Sequence, residues 1–336
     1  MREPSPGAAA LADVEPVPGV KKPDPILIVD GVRRTFGGLV AVNVEHLELP
    51  RGAITSLIGP NGAGKTTFFN LMTGFDVADE GAGTFDGHEL RKIPAHKVSN
   101  YGMVRTFQLT KALTRLTVME NMKLGAREQR GERLTIAPWA PLWREQEHEI
   151  EERAEELLVR FKMDHMRDEM AGTLSGGQRK LLEMARALMV DPIMVMLDEP
   201  MAGVNPALTQ SLLEHVKDLP HMGMSVLFVE HDMDVVMDIS DWVVVMAEGR
   251  IIAEGPPEVV ARNEEVIDAY IGKGHGDESR FTPVPLGAST PASATVVEEA
   301  PPEPKEGVEE LADAASGTAE PGQPDAAAGG DEEEAS

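Results

Sequence analysis

Short runs of apolar, β-branched residues alternate with longer stretches of helical periodicity along the middle of the chain. Ile26–Val29 leads through Val32 to Phe36, Gly37 and Gly38, the pattern of a strand closed by a turn. Val42–Leu49 predicts a second strand, ending at the Pro50–Gly52 turn. Ile54–Ile58 is a continuous apolar run that stops at a glycine-rich loop. Over Glu145–Phe161 the period changes. Ile150, Ala154, Leu157, Leu158 and Phe161 share one face of a helix, with Glu and Arg opposite. Leu181–Val190 predicts another helix, stopped by Asp191–Pro192. Ile193–Leu197 and Val226–Val229 are apolar throughout, as strands buried on both faces of a parallel sheet are. Strands alternating with helices predict an α/β sandwich.

The two ends break this pattern. Residues 1 to about 24 are rich in Pro and Ala and predict a disordered arm. From His275 to Ser336 there are 2 basic and 15 acidic residues, a net of −13, with little to bury. That stretch predicts a disordered acidic tail. An ordered body over 25–274 is left between them. The whole chain of 336 residues is 42% hydrophobic and carries 31 basic against 57 acidic residues, a net of −26. Such a balance argues against nucleic acid as a partner, which needs a basic stripe. It also argues against simple electrostatic docking to anionic lipid. The chain has no cysteine, so disulfides, thiolate nucleophiles and Cys-type zinc sites are excluded. No apolar run approaches the roughly 18–20 residues that span a bilayer. The N-terminal residues lack the apolar stretch of a secretory signal.

Three motifs carry chemistry. Gly59-Pro60-Asn61-Gly62-Ala63-Gly64-Lys65-Thr66-Thr67 fits a phosphate-binding loop and lies between the Ile54–Ile58 strand and a helix predicted over Phe68–Thr73. Its glycines let successive N–H groups point at phosphate oxygens. Lys65 is expected to reach the β- and γ-phosphates and the Thr66 hydroxyl to hold Mg²⁺. Ile193–Leu197 delivers Asp198 and Glu199 to the end of a parallel strand, where ligand sites lie. Asp198 is expected in the Mg²⁺ shell, and Glu199 as general base toward the attacking water. Leu174-Ser175-Gly176-Gly177-Gln178 opens the helix over Arg179–Val190. It reads either as a serine N-cap followed by two glycines or as a second anion site at a helix N-terminus. One chain needs one γ-phosphate cradle, so the second reading implies a nucleotide shared between two chains.

The order of these motifs, followed by His231 in Val229-Glu230-His231-Asp232, resembles the ATP-binding subunits of ABC transporters over roughly Ile26 to Gly272. The resemblance implies an ATPase with ATP and Mg²⁺. Its fold would be a P-loop sandwich with a RecA-like core, an antiparallel β subdomain and a helical subdomain at about 109–190. It places Gln108, within Arg105-Thr106-Phe107-Gln108, beside Mg²⁺ and the attacking water, and His231 at the γ-phosphate. It places Phe36 against adenine. Ser175, Gly176, Gly177 and Gln178 would complete a partner chain's site. The segment Leu109–Arg127 would form the groove for a membrane subunit; the tract around Trp139 and Trp143 is not explained by the motifs.

One position departs from the family pattern. Asn205, in Met201-Ala202-Gly203-Val204-Asn205-Pro206, stands where an Asp is usual. Asn-Pro here resembles the subfamily of branched-chain amino acid uptake ATPases. Phe36–Val42, Arg105–Gln108 and Glu265–Gly272 agree with it. Urea and short-amide uptake ATPases share the pattern, and lipopolysaccharide-export ATPases more remotely. The resemblance implies permease subunits, a second ATPase of the same or a different kind, an indirect solute-binding protein, and a peripheral place on the cytoplasmic face of the membrane. Two rivals fit less well. Repair ATPases carry a coiled coil between the phosphate loop and the Leu174–Gln178 signature, where here 108 residues lie between Lys65 and Leu174, and translation ATPases carry two cassettes. A hydrolysis-dead subunit would lack Lys65, Asp198, Glu199, Gln108 or His231.

Overall fold

A computed structural model describes residues 4–106, 113–127, 129 and 143–271. Two sheets form its frame. The first is antiparallel, in the order β2 (Leu39–Pro50), β1 (Pro25–Phe36), β4 (Glu80–Phe85), β5 (His88–Glu89). The second runs β10 (Arg250–Gly255), β9 (Trp242–Ala247), β3 (Ile54–Ile58), β8 (Ser225–Val229), β7 (Met194–Asp198), β6 (Met103–Thr106). Its neighbours pair in parallel except β10 with β9. The helices are α1 (Lys65–Met72), α2 (Ala95–Asn100), α3 (Val118–Lys123), α4 (Arg144–Arg160), α5 (Gly176–Leu188), α6 (Pro206–Asp218), α7 (Met233–Ile239), α8 (Pro257–Val260) and α9 (Glu264–Ile271).

The strand period of two explains the layering. In β7 and β8, Val195, Leu197, Val226 and Phe228 point into one core, while Met194, Met196, Leu227 and Val229 point into another. The first core is closed by Met122 of α3, Leu158 of α4, Leu182 of α5 and Leu212 of α6. The second is closed by the antiparallel sheet through Leu27, Val29 and Leu47, with Phe68 and Phe69 of α1 in the same core. Both faces of the central strands are therefore buried, which is why they read as unbroken apolar runs. In α4 the predicted stripe holds: Ala154, Leu157 and Leu158 are buried, and Phe161 follows them.

Among the described residues, four strands lie outside those that the apolar pattern predicts, and one sequence expectation needs correction. The central sheet carries β6 and β10 at its edges, and the antiparallel sheet carries β4 and β5, none of which has clear apolar alternation. The N-terminal arm is also not loose over its described residues. The N–H of Gly7 donates to the Gly52 carbonyl at 2.9 Å, and Leu11 and Ser5 are buried. Lys22 reaches Glu254 in β10, with Nζ to Oε2 at 2.5 Å. Glu254 also accepts from Trp242 Nε1 at 2.9 Å and from the Gly19 N–H at 2.7 Å. Composition gave the arm too little to bury; a buried ion pair and one leucine supply the anchor. The expected acidic tail lies outside the described residues.

Candidate active site at the strand ends

The phosphate-binding loop joins β3 to α1 with its glycines in conformations that side chains avoid. Gly59 has φ 148°, and a Cβ there would lie 1.9 Å from the Met246 carbonyl oxygen. Gly64 caps α1 with φ 103°, and a Cβ there would lie 2.3 Å from the Ala41 carbonyl oxygen. The loop is thus pressed between β9 and β2, with α1 starting immediately behind it. Lys65 folds back onto the loop, donating from Nζ to the Gly59 carbonyl at 2.6 Å and the Pro60 carbonyl at 3.1 Å. Burial pulls its pKa down, opposed by the charges of Glu199 and Asp198.

A groove of about 520 Å³ opens over this loop. It is lined by Asn61–Thr67, by Leu39, Val40 and Ala41 of β2, and by Glu199, His231 and Glu248. A larger hollow of about 770 Å³ adjoins it at Val40 and Glu248 but is not lined by Lys65, Glu199 or His231. The smaller groove is the one that holds the reactive groups.

Asp198 ends β7 and is buried. Its Oδ2 accepts from Arg105 Nη2 at 2.6 Å, while Arg105 Nη1 donates to Asn70 Oδ1 at 2.6 Å. Arg105 also lies over the Phe69 ring, 5.5 Å from its centroid. Sequence reasoning quoted Arg105 only as part of a string; its signal was a cation inside a short, partly buried strand. Glu199 follows at φ 47°, a left-handed conformation for a non-glycine residue, and its N–H donates to the Val229 carbonyl at 3.0 Å. That places its Oε1 2.8 Å from His231 Nε2. Strained backbone of this kind persists where surrounding contacts over-determine it. Glu199, His231 and Lys65 therefore meet in one groove, from three separate stretches of chain.

The remaining predicted residues fall as follows. Thr66 and Thr67 line the groove at the start of α1, and Thr66 is exposed to it. Phe36 is half-exposed at the end of β1 and does not line the groove. The Arg34 guanidinium covers its ring at 4.6 Å. Ser175 caps α5: its Oγ accepts from the Gln178 N–H at 3.3 Å, and Gln178 Oε1 accepts from the Ser175 N–H at 2.8 Å. Gly176 and Gly177 lie within that first turn, where a Cβ on Gly177 would come 1.9 Å from Leu208 Cδ2 of α6. None of these four lines the groove of their own chain. Asn205 caps α6 by accepting from the Leu208 N–H at 2.9 Å. Gln108 and Trp139 lie outside the described residues; Trp143 immediately precedes α4. Sequence reasoning also missed Tyr270 of α9. It takes a backbone hydrogen bond from Gly59, and burial pushes its hydroxyl up to about 12.

Known proteins resemble this chain in sequence and in fold. The ABC transporter family model matches residues 42–202. A second model, the branched-chain amino acid ATP-binding cassette transporter, matches residues 250–276. A "probable branched-chain amino acid transport ATP-binding protein" of Archaeoglobus fulgidus is 44% identical over 247 residues, 74% of this chain and 95% of the relative. The high-affinity branched-chain amino acid transport ATP-binding protein of Pseudomonas aeruginosa is 40% identical over 251 residues, 74% of this chain and 98% of the relative. Among solved structures, a nucleotide-free ATP-binding cassette from an ABC transporter superposes with a TM-score of 0.65 at 37% identity, over 74% of this chain and all of that one. The ADP conformation of an ATP-binding cassette also gives 0.65 at 37% identity, over 75% of this chain and all of that one. The chain belongs to the ATP-binding proteins of ABC transporters, in the branch that contains the branched-chain amino acid transport ATPases.

Proposed function

We infer that the chain is the ATP-hydrolysing subunit of an ABC importer and that branched-chain amino acids are its solutes. The observation that carries the chemistry is the 2.8 Å contact between Glu199 and His231 in the groove that also holds Lys65. In this reading the Gly59–Gly64 backbone and Lys65 hold the β- and γ-phosphates, with Thr67 beside them. Glu199 takes a proton from the attacking water as that water bonds to the γ-phosphorus, and the bond from that phosphorus to the β–γ bridging oxygen breaks to release ADP. His231 holds Glu199 through Nε2 and contacts the γ-phosphate. Positioning supplies most of the rate, because the transition state for phosphoryl transfer is loose. Phe36, paired with the groove-lining Leu39 across the turn between β1 and β2, is assigned to adenine.

The donor set suits Mg²⁺. Thr66 and Asp198 offer hard oxygen ligands, and among the described residues no three acids or histidines converge. A cation here would take its other oxygens from phosphates and water, and when bound it would neutralise charge on the β- and γ-phosphates. Thr66, Asp198 and Gln108 are assigned to hold it.

That Ser175, Gly176, Gly177 and Gln178 stand outside their own groove supports their completing the site of a second ATPase subunit. Among the described residues no helix is long and apolar enough to cross a membrane, so translocation would fall to permease subunits. A solute-binding protein would feed the permease from the other side, and this chain would sit at the cytoplasmic face. The names of the relatives and the match over residues 250–276 support the choice of solute. Two experiments test the reading. Glu199→Gln is expected to lower ATP turnover about 10²-fold or more while ATP binding persists; normal turnover overturns the general-base role. Deleting the gene is expected to abolish uptake of labelled leucine, isoleucine and valine, and loss of urea uptake alone would move the chain to the amide branch.

A further inference from the structure

Beside the turn that follows Glu199 lie a buried acid, Glu230, and a half-buried base, Lys180, whose places the motifs do not explain. The chain turns sharply after Glu199, where the Ala202 N–H closes onto the Glu199 carbonyl at 3.1 Å. Three peptide polar groups of that turn each find a charged side chain from elsewhere in the chain. Lys180 of α5 donates from Nζ to the Pro200 carbonyl at 2.9 Å and to the Ala202 carbonyl at 2.5 Å. Between them, the Met201 N–H donates to Glu230 Oε1 at 3.1 Å. The other oxygen of Glu230 accepts from the His231 N–H at 3.2 Å. One carboxylate therefore joins the loop that carries Glu199 to the residue that faces it, and one ammonium joins the same loop to the signature helix.

This arrangement is costly unless it does something. Glu230 is only 6% exposed, and burial pushes its carboxyl up while the Met201 and His231 amides pull it back. Burial pulls Lys180 down, opposed by Glu230, Glu183 and Glu199. Buried ions add little net stability, but they impose geometry where every lone pair and proton has a set partner. The geometry at stake is the left-handed backbone of Glu199, which must be held from outside.

We propose that Glu230 and Lys180 are positioning residues that fix the Glu199–His231 pair, Glu230 by tying its two backbones together and Lys180 by tying the Glu199 loop to the helix that begins at Ser175. The inference rests on the assignment of Glu199 and His231 to ATP hydrolysis. It makes the placement of Glu199 depend on α5, the helix assigned to a second subunit's nucleotide.

The test uses the full chain with Glu230→Ala, Glu230→Gln, Lys180→Met and Lys180→Arg. Steady-state ATP hydrolysis gives kcat and KM, and titration with a fluorescent ATP analogue gives affinity. Loss of positioning lowers kcat about tenfold in Glu230→Ala and Lys180→Met, with KM and affinity within about twofold of wild type. Glu230→Gln keeps an acceptor oxygen and Lys180→Arg keeps the donors, so each is expected to recover part of the rate. If Glu230→Ala does not fold, Lys180→Met gives the same split between kcat and KM, and Glu230→Gln a smaller fall in kcat with KM unchanged. Variants that keep the wild-type kcat, or lose affinity as much as rate, overturn the inference alone. A wild-type chain without turnover overturns the ATPase assignment, and the inference with it.

Discussion

Replacing Lys22 with Met tests whether the N-terminal arm is part of the fold. Lys22 and Glu254 are both fully buried side chains, paired at 2.5 Å. Lys22 also lies over the Trp242 ring, 5.2 Å from its centroid. Glu254 has further donors in Trp242 Nε1, Gly19 N–H and Val20 N–H, the last at 3.2 Å. The Met side chain fills the space of the lysine stem but leaves the Glu254 charge with dipoles alone. At an effective dielectric of ~20, a charge pair in contact is worth ~4 kcal/mol or more, and part of that offsets the desolvation of the ammonium. A net loss of ~3 kcal/mol is expected, close to what removing one partner of a buried pair costs elsewhere. For a body of this size that is about 6–12 °C in Tm. The assay is denaturant unfolding of the full chain in a double-mutant cycle with Glu254→Gln. Gln keeps an oxygen for the Trp242 and Gly19 donors without the charge. The double variant should therefore recover ~2 kcal/mol relative to the sum of the singles. Deleting residues 1–24 should cost more than Lys22→Met, because it also empties the seat of Leu11. A loss under ~1 kcal/mol for Lys22→Met, or strict additivity in the cycle, refutes the reasoning.

Arg105→Met should cost ~3 kcal/mol in denaturant unfolding, because it strands the buried Asp198 carboxylate; Arg105→Lys should cost less, keeping the charge but losing the two-pronged reach to Asn70. His215 is buried against Phe161, 4.4 Å between ring centroids, and its Nε2 has no partner among the described residues. Burial lowers its pKa, with Lys162 and Arg160 adding to that and Asp218 and Glu214 opposing. The unfolded chain then binds the proton more readily, so this contribution to stability is complete above about pH 6.5 and is lost as the pH falls through the folded value. His215→Phe should flatten that decline and gain ~1 kcal/mol at neutral pH, read by unfolding across the pH range. Tyr270→Phe should cost ~1 kcal/mol by unpairing the Gly59 N–H, read by unfolding with and without ATP. Asn205→Ala should cost ~1 kcal/mol as a lost helix cap and Asn205→Asp almost nothing, measured the same way.

What the sequence disclosed was local. The Gly59–Thr67 loop, the strand that ends in Asp198 and Glu199, and the cap at Ser175 are each written within about ten consecutive residues. Their chemistry depends on spacing along the chain, so the expected placements of Lys65, Glu199 and His231 meet in one groove. The α4 stripe was legible because it buries one face against a core. What stayed hidden depends on partners distant in the chain. Lys22 and Glu254 are 232 residues apart, and Arg105 and Asp198 are 93 apart. In the sequence each is an ordinary charge. β4 was missed because Glu80-Gly81-Ala82-Gly83-Thr84-Phe85 has almost no apolar alternation; it is a strand because β1 beside it offers its hydrogen bonds.

Asn205 shows how structure redistributes the meaning of a departure from pattern. Its side-chain oxygen caps α6, with Pro206 at the first helical position. An Asp would cap as well, and its charge would also suit the helix N-terminus. Capping therefore explains why a short polar acceptor is needed at this position but does not choose Asn over Asp. The choice concerns the charge alone, six residues beyond Glu199 in the loop that Lys180 and Glu230 already hold. That loop has its peptide groups matched by one ammonium and one carboxylate. At Pro200–Ala202 it is held by groups other than residue 205, and the Glu199–His231 contact stands at 2.8 Å with a neutral side chain there. The missing carboxylate is on this account no sign of a disabled ATPase.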